Sequence, residues 1–235
     1  MKKIRLLLWL SLLSVLFMPI DSVWAQKGSQ TLVSDTVKDS HSKYTAKYES
    51  GTHQHCTAIL ISSNVAVTAK HCGGSQTTKY GGTIYPGESG LSTPFGYMNI
   101  STYIPNPKYD IALLKGTDRD QSNAYKYYIR QFKTTVTGFS DSELSGMVGR
   151  EAYSYGYPYK YSGYKQYRSD GTIDFYQHDP LLRTTLPTFE GQSGSGVFLK
   201  NGQFVGIIIT RTSDYKGNVL PFTQEIAKWI NDNAK

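Results

Sequence analysis

The chain has 235 residues, which is enough for one compact unit or two tightly packed halves once a leader is set aside. Its formal net charge is +7, but the lysines and arginines are scattered along the sequence, so the charge does not indicate a nucleic-acid partner or a membrane surface. The 19 tyrosines, together with frequent Gly, Ser and Thr, indicate β structure and turns.

The first 25 residues have the pattern of a secretory signal peptide. A basic start at residues 2–5 precedes a mostly apolar run, residues 6–20, and we expect cleavage before Gln26. The alternative is a membrane anchor, but the run is shorter than the roughly 20 apolar residues that a spanning helix needs, and Pro19 interrupts it. We therefore interpret residues 1–25 as a signal peptide and expect a secreted, extracellular protein with no stable membrane anchor.

Short β-like segments dominate the rest of the chain. Before them, residues 26–42 form a polar segment that we interpret as a loose arm or a pro-segment. The β-like segments are Cys56–Ser62, Val65–Ala69, Ile111–Lys115, Arg150–Tyr157, Gly196–Lys200 and Gln203–Thr210. Many short strands with Gly-rich connections predict an all-β sandwich or barrel.

Two local signals lie near the end of the chain. Asn201 and Gly202 separate the last two β-like segments and predict a hairpin with a type I′ turn, in which both central residues have positive φ. Thr223 is predicted as the N-cap of a C-terminal helix whose apolar residues share one face. We expect this helix, residues 223–235, to dock on the β structure.

Tyr153, Tyr155 and Tyr157 alternate and therefore share one face of a predicted strand that ends near Pro158. Such a face suits a ligand platform, since tyrosines present broad amphipathic contacts. The simpler interpretation, which we favour, is a strand that leads into a Tyr-rich surface loop.

Cys56 and Cys72 are the two cysteines of the chain, and in a secreted protein such a pair is more typical of a disulfide than of free thiols. His53 and His55 form an H-x-H pattern beside Cys56, which would suit a metal ion. We favour surface histidines, because the sequence contains no complete ligand set with zinc-like spacing. We therefore expect neither a metal nor a cofactor.

Three further segments carry residues for nucleophilic catalysis. "VAVTAKHC" is a β-like strand that ends at His71, "PKYDIALLK" places Asp110 before an apolar strand, and "FEGQSGSGVF" places Ser193 in a glycine-rich loop. Taken alone, the last segment resembles a flexible linker. A serine nucleophile needs a base, a group that orients the base, and N–H donors for the oxyanion. His71 and Asp110 supply the first two, and the N–H groups of Gly191 and Ser193 are the predicted donors.

The order His, Asp, Ser along the chain narrows the class of enzyme. It is the order of the chymotrypsin template, whereas α/β-hydrolases have the order Ser, acid, His. The G-x-S-x-G motif of those hydrolases is also broken, because Ser195 stands where its second glycine should be.

The segments "TAKHC", "YDIALLK" and "GQSGSG" resemble the three active-site blocks of trypsin/chymotrypsin-fold serine proteases. They are most similar to the bacterial glutamyl-endopeptidase (V8-like) and exfoliative-toxin branch, which has a G-x-S-G-S serine block. The resemblance implies two packed Greek-key six-stranded β-barrels, residues 43–140 and 141–222, followed by a C-terminal α-helix. It also implies that His71 is the general base, that Asp110 orients it, and that Ser193 is the nucleophile.

By this resemblance the protein is a secreted serine endopeptidase that acts as a monomer on a protein or peptide substrate through an acyl-enzyme. The alternative is a protease-fold toxin or binding factor with little or highly restricted turnover. The Cys56 and Cys72 pair resembles the disulfide beside the active-site histidine of trypsins, which V8-like enzymes usually lack. Gln192 stands where animal trypsins carry an Asp that pairs with the new N-terminus. We therefore expect activity from chains that start anywhere within residues 26–42.

The resemblance also suggests residues of the S1 pocket, which holds the substrate side chain before the scissile bond. Pro187 replaces the Asp of trypsins, so a basic P1 residue has no partner there. Thr188 matches a hydroxyl that helps to hold glutamate in the V8-like branch, but Ile208 replaces the histidine of that branch. Arg211 stands where exfoliative toxins carry a lysine, and a guanidinium can bind a carboxylate. We expect an acidic P1 residue, with an apolar one as the alternative.

Overall fold

The computed structural model describes residues 28–235. The predicted signal peptide, residues 1–25, lies outside the described residues. No helix within the described residues is long and apolar enough to cross a membrane.

The first half of the chain forms a nearly closed antiparallel barrel. Its strands are β2 (Thr45–Ser50), β3 (His55–Leu60), β4 (Val65–Thr68), β5 (Gly82–Pro86), β6 (Met98–Ile100), β7 (Thr102–Pro105) and β8 (Ala112–Lys115). They lie in the order β6-β5-β2-β3-β4-β8-β7. The two edge strands, β6 and β7, are separated in the chain by Ser101 alone, which brings the sheet edges together.

The second half forms a closed six-stranded barrel. Its strands are β9 (Glu151–Gly156), β10 (Tyr167–Gln177), β11 (Leu181–Pro187), β12 (Gly196–Leu199), β13 (Phe204–Arg211) and β14 (Lys216–Pro221). The order β10-β11-β14-β13-β12-β9 is closed by pairing of β9 back onto β10. The predicted all-β fold of two barrels is therefore confirmed.

Residues 28–235 also contain three short α-helices: α1 (Asn123–Ile129), α2 (Asp141–Ser145) and α3 (Gln224–Asn233). As predicted, Thr223 caps α3, since its side chain accepts the Ile226 N–H. Ile226 and Ile230 are fully buried. One apolar cluster includes this helix face, Val67 of the first barrel and Ile207 of the second. Burial of these shared side chains fixes the barrels against each other and so determines the shape of the cleft between them.

The described part of the N-terminal arm is folded onto the second barrel and is not loose. Strand β1 (Ser29–Leu32) pairs antiparallel with the start of β10. Further along the arm, Tyr155 donates a hydrogen bond to Asp39 (3.0 Å), and Tyr153 contacts the His41 ring nitrogen (3.1 Å). Both tyrosines are buried, so part of the face of alternating tyrosines lies beneath the chain's own arm.

The β12–β13 hairpin was predicted correctly, but its turn is not type I′. Gly202 has a positive φ of 87°, whereas Asn201 does not have positive φ. The Gly202 N–H donates to the Leu199 carbonyl (2.8 Å), as in a three-residue hairpin loop that ends in a left-handed glycine. The Asn201 side chain accepts the Gln203 N–H (3.1 Å), and this local contact favours the ordinary negative φ at Asn201.

Candidate active site

His71 lies on a single 3₁₀ turn, Lys70–Cys72, directly after β4. Cys72 is joined to Cys56 of β3 by the predicted disulfide, with the two Cα atoms 6.2 Å apart. The Tyr103 hydroxyl donates to the Lys70 carbonyl (2.7 Å) from the other side. The turn that carries His71 is therefore held by a covalent bond and by a buried hydroxyl.

Asp110 lies just before β8 and accepts two hydrogen bonds from His71. Its Oδ2 is 2.7 Å from His71 Nδ1, and its Oδ1 accepts the His71 backbone N–H at 2.9 Å. Burial acts to raise the pKa of Asp110, but these hydrogen bonds outweigh burial and lower the pKa below its usual value. An ionised acceptor on Nδ1 keeps the proton of the neutral ring there, which leaves Nε2 as a proton acceptor.

Ser193 lies in the loop between β11 and β12, which two left-handed glycines shape. Gly191 has φ +90° and Gly194 has φ +89°. A Cβ at Gly194 would lie 2.0 Å from the Thr57 carbonyl oxygen, so only glycine fits against the first barrel there. The Thr57 N–H donates to the Ser193 carbonyl (2.9 Å), which ties the loop to β3.

The peptide groups around Gly191 have a defined direction. The Glu190 carbonyl accepts the Tyr159 N–H (2.8 Å), and the Gly191 carbonyl accepts the Thr57 hydroxyl (2.8 Å). Since the C=O and N–H of a trans peptide point in opposite directions, the Gly191 N–H points away from Tyr159. Within residues 28–235 neither this N–H nor that of Ser193 donates a hydrogen bond to another protein group.

One cavity of about 520 Å³ brings together the side chains that the sequence predicted for the site. It is lined by His71, Asp110, Thr188, Phe189, Glu190, Ser193, Ile208, Ile209, Thr210 and Arg211. In the described part of the chain, the Ser193 hydroxyl and the His71 ring form no hydrogen bond with each other. Ser193 is partly exposed, whereas Ser195 is fully buried.

The predicted pocket residues differ in what they present to the cavity. The Thr188 hydroxyl is buried and donates to the Leu186 carbonyl (3.1 Å), so its proton is already engaged. Arg211 stacks on the Tyr215 ring, with its guanidinium carbon 4.6 Å from the ring centroid. Its Nη2 lies 3.9 Å from Oε1 of Glu190, whose side chain is 80% exposed. The cationic group at the pocket therefore has an acidic neighbour.

Sequence reasoning missed Glu190 and Thr57 as parts of the site. Glu190 directly precedes Gly191 of the serine loop. This position in the motif was the one sequence feature that could have indicated its place at the site. Thr57 carried no signal, because it contacts the serine loop only through the packing of the two barrels.

A three-residue cluster with metal-binding atoms also lies at the site. Atoms of Cys56, His71 and Cys72 lie within 4.8 Å of one another, and this is the single such cluster in residues 28–235. The disulfide removes both thiolates, so these sulfurs are not in the state that binds a metal ion.

Several solved structures share this fold. A Glu endopeptidase in complex with MPD superposes with a TM-score of 0.70 at 21% identity, over 88% of this chain and 97% of that chain. The protease Anisep from Arthrobacter nicotinovorans superposes with a TM-score of 0.65 at 16% identity, over 88% of this chain and 99% of that chain. A serine endoprotease from Yersinia pestis superposes with a TM-score of 0.58 at 14% identity, over 82% of this chain and 63% of that chain. No curated protein sequence matches significantly.

These structural likenesses establish the fold of two barrels. The sequence itself matches the Trypsin family model over residues 33–230, a span that holds both barrels, the cavity and most of α3. This chain therefore belongs to the trypsin family of serine proteases.

Proposed function

We propose that this chain is an endopeptidase that cleaves peptide bonds through an acyl-enzyme on Ser193. The double hydrogen bond from His71 to Asp110 carries the proposal, because it fixes the ring with Nδ1 protonated and Nε2 available as a base. Ser193 opens into the same cavity, and Ser195 is buried out of reach of a substrate.

In the proposed reaction, His71 Nε2 takes the hydroxyl proton as Ser193 Oγ bonds to the substrate carbonyl carbon. The carbonyl electron pair moves to oxygen, and the free N–H groups of Gly191 and Ser193 stabilise the resulting oxyanion. His71 then gives its proton to the leaving amine as the C–N bond breaks. Water repeats the sequence on the acyl-enzyme and releases the new carboxyl end.

The pocket residues support a substrate preference for a P1 residue that is not basic. Pro187 provides no carboxylate at the position that pairs with Arg or Lys in trypsins. Arg211 is the cationic group of the cavity, so an acidic P1 residue would replace Glu190 as its partner. Ile208 supports the alternative of an apolar P1 residue. The Thr188 hydroxyl contributes less than the sequence suggested, because it already donates to Leu186.

We place the protein outside the cell and in the bacterial V8-like branch. The disulfide supports an oxidising compartment, and the pattern of residues 1–25 supports export. The G-x-S-G-S block and the Glu endopeptidase among the structural neighbours support the branch. We propose that the chain acts as a monomer on protein or peptide substrates.

Labelling with a fluorophosphonate tests this function directly. The reagent needs an activated serine, so we expect a single label, and peptide mapping should place it on Ser193. A label on Ser195 would contradict the assignment. A correctly processed protein that neither takes the label nor cleaves casein would favour the alternative, a protease-fold toxin or binding factor.

A further inference from the structure

Gln192, directly before Ser193, is fully buried and is held by its side chain. Its Oε1 accepts the backbone N–H of Phe189 (2.9 Å), a contact that closes the loop on itself. The same oxygen accepts a second hydrogen bond from Nε2 of Gln30 (3.2 Å). Within the described residues, Nε2 of Gln192 has no partner. Two donors therefore hold this side chain, and one of them comes from the N-terminal arm.

Gln30 is well placed to act as a brace. It lies on β1, opposite Ser169 of β10, and is the one residue of that strand that is not exposed. Besides Gln192, its Nε2 lies 2.8 Å from the Ser169 hydroxyl and 3.1 Å from the Pro187 carbonyl. The Ser169 hydroxyl itself donates to the Pro187 carbonyl (2.7 Å). The two N–H groups of this amide thus lie within reach of acceptors on β10, at the end of β11 and in the serine loop.

The arm reaches this position through a narrow passage at Gly28. A Cβ on Gly28 would lie 2.0 Å from the Thr185 carbonyl oxygen and 2.9 Å from that of Asp170. Real Cβ contacts of 2.0 Å do not occur, so the backbone itself is wedged between β11 and β10 at this point. The backbone pairing of β1 with β10 then fixes where the Gln30 side chain enters.

We infer that Gln30 is a positioning residue, an amide latch that holds Gln192 and through it the oxyanion loop, residues 189–193, in its catalytic shape. This inference rests on the proposed function. The donor is a side chain within the arm, so the latch needs no free N-terminal amine. Chains that begin at or before Gly28 should be fully active, and chains that begin after Gln30 should not be. This differs from the expectation that any start within residues 26–42 suffices.

The test compares three single variants with the wild type. Gln30→Ala should lower kcat for a peptide substrate about 10- to 100-fold while KM changes less than about threefold. Gln30→Glu has the same size but no N–H donor, and it should lose activity as Gln30→Ala does. Thr31→Ala, an exposed position on the same strand, is the matched control and should stay within about twofold of wild type. A chain that starts at Leu32 should behave like Gln30→Ala.

Hydrogen exchange gives a readout that does not depend on turnover. In Gln30→Ala the peptide that covers residues 188–195 should exchange at least about tenfold faster, because Gln192 then has a single donor left. Unchanged kcat and unchanged exchange in Gln30→Ala would overturn the latch even if Ser193 is labelled in the wild type. If the wild type takes no label, the proposed function fails, and the exchange comparison still decides whether Gln30 holds the loop.

Discussion

His71 and Ser193 open into the same cavity, but different kinds of contact hold them in place. The His71 turn is fixed by a disulfide to β3, a tyrosine hydroxyl and Asp110, all within the first barrel. The Ser193 loop is fixed by hydrogen bonds to segments far away in the chain. Thr57 is 134 residues from Gly191, and Gln30 is 162 residues from Gln192.

This difference suggests a division of labour between the two barrels. The first barrel holds the proposed base, His71, rigidly through neighbouring strands and a covalent bond. The second barrel provides a loop whose shape depends on non-covalent braces from the other barrel and from the arm. We therefore expect changes to distant residues to affect the oxyanion loop more than they affect the base.

The largest effect should come from the proposed nucleophile, Ser193. Ser193→Ala should lower kcat at least about 10⁴-fold, as the loss of a triad member does in this mechanism. Ser195→Ala is the matched control, because its hydroxyl is buried and makes no hydrogen bond within the described residues. Steady-state kinetics on one peptide substrate measures both. If the Ser195 variant lost activity as strongly as the Ser193 variant, the assignment of the nucleophile would fail.

The second prediction tests the Cys56–Cys72 disulfide, which holds the turn that carries the proposed base, His71. The disulfide joins residues 16 positions apart, and closing a loop of this size contributes about 3 kcal/mol to the free energy of unfolding in the chain-entropy model. Reduction, or the pair Cys56→Ala and Cys72→Ala, should lower both Tm and activity, because Cys72 follows His71. Thermal melts and kinetics of the oxidised and reduced protein measure this. Two free thiols in the native protein, found by mass spectrometry, would contradict the prediction.

The third prediction tests a brace on the serine loop. The Thr57 hydroxyl is buried, donates to the Gly191 carbonyl (2.8 Å) and accepts the Tyr157 N–H (3.1 Å). Thr57→Val has the same shape but leaves both groups unpaired, so kcat/KM should fall about 10- to 100-fold. Thr57→Ser keeps the hydroxyl and should stay within about threefold of wild type. Equal activity of the Val and Ser variants would show that the Thr57 hydroxyl is not needed to hold the serine loop.

The contrast between local contacts and contacts with distant segments also explains which strands could be predicted from the sequence. Strands β3, β4, β8, β9, β12 and β13 lie within two residues of their predicted ends, because each is an apolar run bounded by turns. The other strands were not predicted individually. Strand β10 is an example, since its sequence YRSDGTIDFYQ is polar and becomes a strand through its partners β1, β9 and β11.

The candidate site likewise contains residues that lie in local sequence motifs and residues that join it only through the fold. The residues of the local motifs, His71, Asp110 and Ser193, could be found because motif spacing is a property of the sequence. Thr57 and Gln30 could not, because their partners lie more than 130 residues away and meet them only in the folded chain. The sequence suggests only a loose arm or a pro-segment at residues 26–42 for the same reason: the segment SQTL of β1 is polar, and its pairing with β10 orders it.

The fourth prediction tests the base by pH. The proposed base His71 must be neutral to take the Ser193 proton, so kcat/KM should rise severalfold between about pH 6 and 8. Asp110 stays ionised throughout, because hydrogen bonds from His71 outweigh burial and lower its pKa. A carboxyl with a lowered pKa stabilises the fold above its ordinary pKa of 3.8 and loses this contribution only in acid. The control is a protein that stays folded at both pH values, and a flat kcat/KM profile would exclude His71 as the base.

The smallest effect concerns the rim of the pocket, where both charged groups belong to the second barrel. Arg211 faces the exposed Glu190 at 3.9 Å, a distance and exposure at which an ion pair stabilises by roughly 0–1 kcal/mol. A substrate carboxylate must displace Glu190 from Arg211. Removing the Glu190 charge should therefore raise kcat/KM for such a substrate only a few-fold. Glu190→Gln should raise kcat/KM for a P1 Glu peptide by about three- to fivefold and leave a P1 Leu peptide unchanged.

Arg211→Ala should remove the preference for P1 Glu and also leave P1 Leu unchanged, since an apolar side chain has no charge to pair. A peptide-library profile of the wild type and both variants measures these shifts together. Strong cleavage after Arg or Lys in the wild type would refute an acidic P1 preference, because Glu190 would then be the group that binds substrate. An unchanged profile in Arg211→Ala would instead place Arg211 outside the pocket and favour the apolar alternative at Ile208.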